Sequence, residues 1–146
     1  MTDQVAQMIT GVQDLYKNLT TVDASDVARV YSDEILFRDP LHQVEGIEPF
    51  CDYLNGLSQN LIYCRFEFFD TTATASSSWL RWNMHYAHPR IRRGAALTLE
   101  GTSLLQHDTE KVFFQQDYYD MGAMLYEHLP MMGPAIRMLK KRLVSK

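Results

Sequence analysis

The sequence predicts an α+β fold in which a curved antiparallel sheet packs on three N-terminal helices. Apolar residues recur at helical spacing up to residue 57, and the pattern changes to strand-like alternation between residues 61 and 119. The links between the alternating segments are short, as they are between antiparallel neighbours. One face of such a sheet must be covered, and the helices can cover it. A strongly curved sheet over helices encloses a cone-shaped hollow.

Three segments carry the helical pattern. The first has an apolar stripe that consists of Val5, Met8, Ile9, Val12, Leu15, Tyr16 and Leu19. The second follows a capping cluster at residues 23–26 and has its buried side at Val27, Val30 and Tyr31. The third spans residues 46–57. A short alternating stretch at residues 35–39 separates the second helix from the third.

Four later segments have the composition and alternation of strands. They span residues 61–70, 78–88, 95–108 and 111–119. Beyond residue 120 the helical pattern returns, so residues 121–146 form a helical extension of a single domain that spans residues 1–146. The last amphipathic segment of this extension could cover the pocket, contact a partner subunit or touch an anionic membrane. A covering or packing role is favoured, because its basic face is short.

Composition limits the function classes. A chain of 146 residues that is 46% hydrophobic can bury a sizeable core as one domain. The net charge of −4 argues against a nucleic-acid partner, because phosphate binding requires an excess of Lys and Arg. Cys51 and Cys64 do not form a metal or redox motif, and the first ten residues do not resemble a signal peptide, so we expect a cytoplasmic protein. The apolar runs are too short for a membrane span, which predicts no stable membrane association.

Three stretches carry a resemblance to a known family. They are YSDEILFRDP at residues 31–40, GIEPF at residues 46–50, and FQQDYYD at residues 114–120, which leads into a helix containing Leu125 and Leu129. Their order and spacing resemble those of the nuclear transport factor 2-like superfamily, which includes ketosteroid isomerases and SnoaL-like polyketide cyclases. The resemblance extends over about residues 5–130.

The resemblance implies a pocket between helices and sheet, and a homodimer formed through the outer face of the sheet. It implies that Asp39 is a general base and that Tyr16 donates a hydrogen bond to a developing oxyanion. A protonated acid on a later strand of the isomerases corresponds to Ser103 here, so that part of the isomerase pattern is altered. The cyclases also place an aspartate near the end of the sheet, which corresponds to Asp117 or Asp120.

The residues themselves leave alternatives at each of these positions. Asp39 shares a strand face with Phe37, which places the carboxyl group in apolar surroundings; Asp-Pro is also a common turn starter. Tyr16 lies on an apolar stripe and is equally suited to a core role. Asp117, if inward, needs partners, which Tyr16 or His42 could supply.

The remaining predicted pocket residues are mostly apolar. They are Phe37, His42, Trp82, Met84, Tyr86, Leu99, Ser103 and Tyr119. We expect no metal or other cofactor, since the histidines at 42, 85, 88, 107 and 128 lack partners at ligand spacing. The sequence therefore predicts a pocket for a small hydrophobic molecule, with isomerase or cyclase chemistry. The alternatives are a ligand carrier without turnover and a protein-interaction module.

Overall fold

The chain starts with helices and continues into a sheet. The computed structural model describes residues 1–17, 19, 22–124 and 132–144. Its helices are α1 (Asp3–Lys17), α2 (Ala24–Val30), α3 (Ile47–Asn60), α4 (Met121–Met124) and α5 (Met132–Val144). Its strands are β1 (Tyr31–Arg38), β2 (Gln43–Glu45), β3 (Tyr63–Ala73), β4 (Ser77–Ala87), β5 (Leu97–His107) and β6 (Val112–Tyr119). No helix in these described ranges is long and apolar enough to cross a bilayer.

The strands form a curved, unclosed sheet in the order β2-β1-β6-β5-β4-β3. The predicted α+β class and cone-shaped fold are confirmed. The strands β3 to β6 pair antiparallel with their chain neighbours, as predicted, whereas β1 pairs parallel with β6. In this pairing Phe37 lies opposite Gln115. The loop that follows β1 is therefore brought next to the inner face of β6, and this places Asp39 near Asp117.

Two local predictions differ from the structure. Tyr31 opens β1 instead of ending α2, because its backbone is already extended (φ −104°, ψ 143°) while its amide still bonds to the Val27 carbonyl. Strand β2 was not predicted, since three residues are too few to show a period. Leu125 and Leu129, which the resemblance places on a helix, lie outside the described residues.

The core lies between the helices and the inner face of the sheet. Its most deeply buried side chains are Val5, Val12, Val27, Tyr31, Ile35, Phe37, Phe50, Leu54, Leu80 and Leu105. The Phe50 ring contacts Tyr31 on one side and Phe37 on the other, at centroid distances of 4.7 and 5.4 Å. These contacts hold α3 against β1. They fix the frame from which the candidate site is built.

Gly101 on β5 faces the Trp82 indole. A Cβ at this position would lie 2.3 Å from Trp82 Cη2, so Gly101→Ala must displace the ring. We expect a loss of about 1–3 kcal/mol in the free energy of unfolding, the usual range for overpacking. Gly56→Ala is the matched control, because no atom lies within 4 Å of that added methyl group. Since Gly56 is within α3, its replacement by alanine should raise the free energy of unfolding, measured in urea, by up to about 1 kcal/mol. Equal effects at the two positions would contradict the close packing of Gly101 against Trp82.

Candidate active site

Asp39 follows β1 directly, and its side chain is completely buried. Its amide bonds to the His42 carbonyl at 3.0 Å, which closes a turn around Pro40. The Oδ1 atom accepts the amides of Leu41 and His42 at 2.7 and 2.6 Å. Asp39 therefore stabilises a turn, which is one of the roles considered from the sequence, and its side chain is buried as well. One carboxylate oxygen caps the turn, and the other remains for contacts inside the fold.

Tyr53 of α3 makes the inward contact. Its hydroxyl donates to Asp39 Oδ2 at 2.8 Å, and its ring packs on Phe37 at a centroid distance of 4.6 Å. Tyr119 of β6 is hydrogen-bonded to the same carboxyl group. Burial and the nearby Asp117 and Asp39 carboxyl groups raise the pKa of Tyr53 far above its usual range, so its hydroxyl keeps its proton as a donor. Asp39 therefore serves as a hydrogen-bond acceptor for the turn amides and for Tyr53.

His42 connects Asp39 to the solvent. Its Nδ1 atom lies 3.1 Å from Oδ1 and 3.2 Å from Oδ2 of Asp39, and its side chain is 49% exposed. The imidazole also packs edge-on against Tyr53, with a centroid distance of 5.3 Å. His42 therefore lies between the buried carboxyl group and the solvent. The side chain offers a path by which a proton on Asp39 can exchange with water.

Asp117 of β6 is the second buried carboxyl group, with 7% of its surface exposed. It lies opposite Ser103 in the sheet register. The Ser103 hydroxyl donates to Asp117 Oδ1 at 2.6 Å, and Gln115 Nε2 donates to the same oxygen at 3.0 Å. Burial raises the pKa of Asp117 to about 6, against the two hydrogen bonds and with a further upward contribution from Asp39. Both of these hydrogen bonds end on Oδ1. Oδ2 accepts neither of them, so it is the oxygen that can carry a proton.

A network of hydrogen bonds extends from Asp117 into the core. Gln115 Nε2 also donates to the Tyr16 hydroxyl at 3.2 Å, and Gln115 Oε1 accepts from the Tyr31 hydroxyl at 2.6 Å. On the other side, Trp82 Nε1 donates to Ser103 Oγ at 2.9 Å. Burial raises the pKa of Tyr16, with further contributions from Tyr31 and Asp117. The network fixes the orientation of Asp117, because buried polar groups hold their geometry only when their partners are satisfied.

A small enclosed cavity adjoins Asp117. Its volume is about 30 Å³, and its walls are Tyr16, Tyr53, Leu57, Phe66, Trp82, Met84, Leu99, Asp117 and Tyr119. A second space of about 10 Å³ lies between α1 and the sheet, next to Ser103 and Gln115. The larger space has room for roughly two water molecules. Ring-bearing ligands need several hundred Å³, so one can enter only if wall side chains move.

Besides His42 and Ser103, which contact Asp39 and Asp117, the predicted pocket residues fall into two groups. Trp82, Met84, Leu99 and Tyr119 line the cavity beside Asp117. Phe37 and Tyr86 are buried in the core away from that wall, 0% and 2% exposed. Asp120, the alternative to Asp117, lies on the surface and pairs with Lys140 at 2.6 Å. Of these two acids, Asp117 is the one that lines the cavity.

Tyr53 and Gln115 carry roles that the sequence did not assign to them. Tyr53 lies three residues after Phe50 and four before Leu57, and this spacing places it on the apolar face of α3. A tyrosine on that face signals a hydroxyl that needs a partner. Gln115 alternates with Asp117 on one face of β6, so an amide beside a carboxyl group was visible, but its link to Tyr16 and Tyr31 was not.

In the described part of the chain, no three His, Cys, Asp or Glu side chains lie close enough to hold a metal ion. His85, one of the histidines considered from the sequence, contacts Glu67 and Thr98 at 3.0 Å each. His107 is buried, with its Nε2 atom 2.7 Å from Ser78 Oγ. The side chains present at the candidate site offer carboxyl, hydroxyl and imidazole groups.

Together, the curved sheet and the helices packed on it form a cone-shaped domain with the fold of the nuclear transport factor 2-like proteins. Residues 12–113 match the family of SnoaL-like domains, and the chain belongs to that family. No protein of curated function matches the sequence.

Solved structures share the fold at low sequence identity. A protein from a Jannaschia species, described as a SnoaL-like polyketide cyclase, has a TM-score of 0.72 and 12% identity over 84% of this chain and 89% of its own. A protein from Shewanella putrefaciens with the same description has a TM-score of 0.69 and 18% identity, over 85% and 95% of the two chains. An epoxide hydrolase of the LEH-like type from M. tuberculosis has a TM-score of 0.68 and 10% identity, over 94% and 98%. At these identities the likeness concerns the fold.

Proposed function

We propose that this protein catalyses proton transfer on a small, mostly apolar molecule bound between α3 and the sheet. The observation that carries the proposal is a pair of buried carboxyl groups in different surroundings. Asp39 accepts hydrogen bonds on both carboxyl oxygens, whereas burial keeps a proton on Asp117 up to a pH near its pKa of about 6. Two carboxyl groups in contrasting environments are suited to act as base and acid.

The proposed reaction starts at a carbon next to a carbonyl group. Asp39 removes a proton from that carbon, and the electron pair moves onto the carbonyl oxygen to give an enolate. Protonated Asp117 donates a hydrogen bond to this oxygen. If the substrate has a β,γ carbon–carbon double bond, the enolate is conjugated with it, and return of the proton to the γ-carbon completes an isomerisation. In a cyclisation, the enolate carbon attacks a second carbonyl group of the same molecule, and the resulting alkoxide takes the proton of Asp117.

The oxyanion role that the resemblance assigns to Tyr16 fits Asp117 better. The Tyr16 hydroxyl accepts from Gln115 and is hydrogen-bonded to Tyr31, so its polar group is engaged within the core network. Asp117 lies on the same cavity wall and has Oδ2 available. Tyr16 and Ser103 then act as positioning residues for Asp117. This assignment keeps the chemistry implied by the resemblance and changes the residue that performs one step.

The size of the cavity favours a small substrate or a wall that opens. Met84 is the most adaptable wall residue, because its side chain is unbranched and flexible, and Leu57 is only partly buried. Movement of these two side chains would widen the space toward α3 without breaking the hydrogen bonds of Asp39 or Asp117. Aliphatic and aromatic walls select an apolar ligand, with an oxygen atom directed at Asp117.

Acetone in D2O provides a test that does not require the natural substrate. Its exchangeable protons lie next to a carbonyl group, and proton NMR follows their replacement by deuterium. We expect the protein to accelerate this exchange, because a proton taken up by Asp39 can leave through His42 to solvent. The Asp120→Asn variant should match the wild type, since Asp120 is a surface carboxyl group. Exchange no faster than in buffer would contradict the proposal.

We also propose that two copies associate through the outer face of the sheet. Trp79, Tyr118 and Phe69 are 42%, 45% and 41% exposed there, and the Trp79 and Tyr118 rings lie 6.1 Å apart. Arg81 lies over the Phe69 ring at 5.1 Å. A shallow groove of about 230 Å³ runs beside these side chains. Exposed aromatic residues with an arginine are typical of the centre of protein interfaces.

Trp79→Glu should convert this homodimer to a monomer. A charge at the centre of the aromatic patch would have to be desolvated in the dimer, which lowers affinity by at least about tenfold. Light scattering coupled to gel filtration measures the molar mass. Ile62→Glu is the matched control, because Ile62 is 59% exposed in the loop before β3, away from this face. A monomeric wild type, or equal loss of mass in both variants, would contradict the proposed dimer.

A further inference from the structure

Helix α5 keeps large apolar side chains in solvent. Met138 and Leu139 are 49% and 54% exposed, and Leu143 and Val144 are 81% and 85% exposed. Ile136, Leu139 and Leu143 follow the helical spacing i, i+3, i+7 and form one stripe. An exposed apolar stripe on a helix marks a surface that binds another phase or molecule.

Helix α5 is attached to the domain on one side, through Ile136 and Lys140. Lys140 pairs with Asp120 at 2.6 Å, and Ile136 is partly buried beside Gly122. Every residue from 137 to 144 is exposed. None of them lines the cavity beside Asp117.

The charge of α5 contrasts with that of the whole chain. The helix carries the cations Arg137, Lys140, Lys141 and Arg142 and has no acidic residue, while the formal net charge of the protein is −4. At 100° per residue, Lys140 and Arg142 flank the apolar stripe on its two sides. Long cationic side chains beside an apolar stripe can reach anionic groups while the stripe is buried.

We propose that α5 binds reversibly to the surface of an anionic lipid bilayer, with Leu139 and Leu143 at the acyl boundary and Arg142 on the lipid phosphates. Helices that lie in the interface have this combination of an apolar stripe, basic flanks and modest overall hydrophobicity. The 13 residues of α5 extend about 20 Å, too little for a hydrocarbon core of about 30 Å, so the helix lies along the surface.

A bilayer suits this surface better than a second copy of the chain. A stable protein interface usually needs about 20–30 residues from each partner, more than the exposed segment 137–144 can supply. A lipid surface needs no shape complementarity, and each buried CH₂ strengthens partition by about fourfold. Each cation near an anionic surface adds about fivefold at moderate salt.

The test is sedimentation of the full-length protein with lipid vesicles. Vesicles of phosphatidylcholine alone are compared with an equimolar mixture of phosphatidylcholine and phosphatidylglycerol. We expect binding to the mixed vesicles to be at least about tenfold stronger, and to weaken as salt is raised. Equal binding to both kinds of vesicle, or no binding to either at low salt, would overturn the proposal.

The double variant Leu139→Gln/Leu143→Gln assigns the binding to α5. Both side chains are exposed, so the fold should persist, and we expect binding to the mixed vesicles to fall by more than about tenfold. Ile62→Gln, the same kind of change at an exposed position outside α5, should leave binding unaltered. Equal weakening in the control and the double variant would overturn the assignment. The double variant could instead have a lower molar mass than the wild type in solution and bind vesicles as the wild type does. That result would identify a second copy of the chain as the occupant of this surface and would also overturn the proposal.

Discussion

Asp39→Asn is expected to slow acetone deuterium exchange by about 10²–10⁴-fold, the usual contribution of a positioned general base. An amide has the shape of a carboxylate but cannot take up a proton at neutral pH. Its oxygen can still accept the amides of Leu41 and His42, so the turn after β1 should be retained. The variant therefore separates the chemical role of Asp39 from its structural role.

Two controls accompany the Asp39 variant. Asp120→Asn removes a surface carboxyl group from the end of the neighbouring strand and should exchange acetone at the wild-type rate. Urea unfolding of Asp39→Asn should show the same cooperative transition as the wild type, which establishes that the amide variant is folded. A folded Asp39→Asn protein that exchanges acetone as fast as the wild type would remove Asp39 from the mechanism.

The second large effect concerns stability and pH at Asp117. The pKa of this group rises from an ordinary value of 3.8 to about 6 on folding, chiefly through burial. Between these values the folded protein holds the proton and the unfolded chain does not, so the free energy of unfolding decreases as pH rises. The contribution is present below about pH 4 and is lost as pH passes through about 6. Its full size is about 3 kcal/mol, from 1.36 kcal/mol per pKa unit.

Asp117→Asn should remove this dependence, because the amide carries no charge at either pH. The free energy of unfolding of the variant minus that of the wild type should be about 3 kcal/mol larger at pH 8 than at pH 4. Any fixed effect of the substitution on hydrogen bonding to Ser103 and Gln115 cancels in that difference. Urea titrations at the two pH values measure it, with Asp120→Asn as a surface control. A difference that stays constant with pH would show that Asp117 is not a buried titrating group.

The fold was accessible from the sequence because its periods are strong and local. The apolar stripe of α1 and the alternation of β4 indicate their elements without tertiary information. Tyr31 was misassigned, since it continues the apolar spacing of α2, and only the extended backbone of β1 explains why it leaves the helix. The parallel pairing of β1 with β6 is a long-range contact, which no local pattern records.

The site was accessible in part. Alternation along β6 places Gln115, Asp117 and Tyr119 on one face, and the Asp39-Pro40 step marks a special turn. The contacts that define the chemistry join distant segments. Tyr53 of α3 reaches Asp39 at the end of β1, and Gln115 joins Asp117 to two tyrosines near the N-terminus. The size of the cavity depends on how Trp82, Phe66 and Met84 fill the hollow, and packing of this kind cannot be derived from residue order.

Carbon-13 NMR titration of the Asp117 carboxyl group tests most directly whether two acids share one buried site. A midpoint of about pH 6 is predicted for the wild type, and a lower midpoint for Asp39→Asn, because removal of the Asp39 charge removes one of the causes that raise the Asp117 pKa. A midpoint near 3.8, or one that Asp39→Asn leaves unchanged, would contradict the proposed acid–base pair.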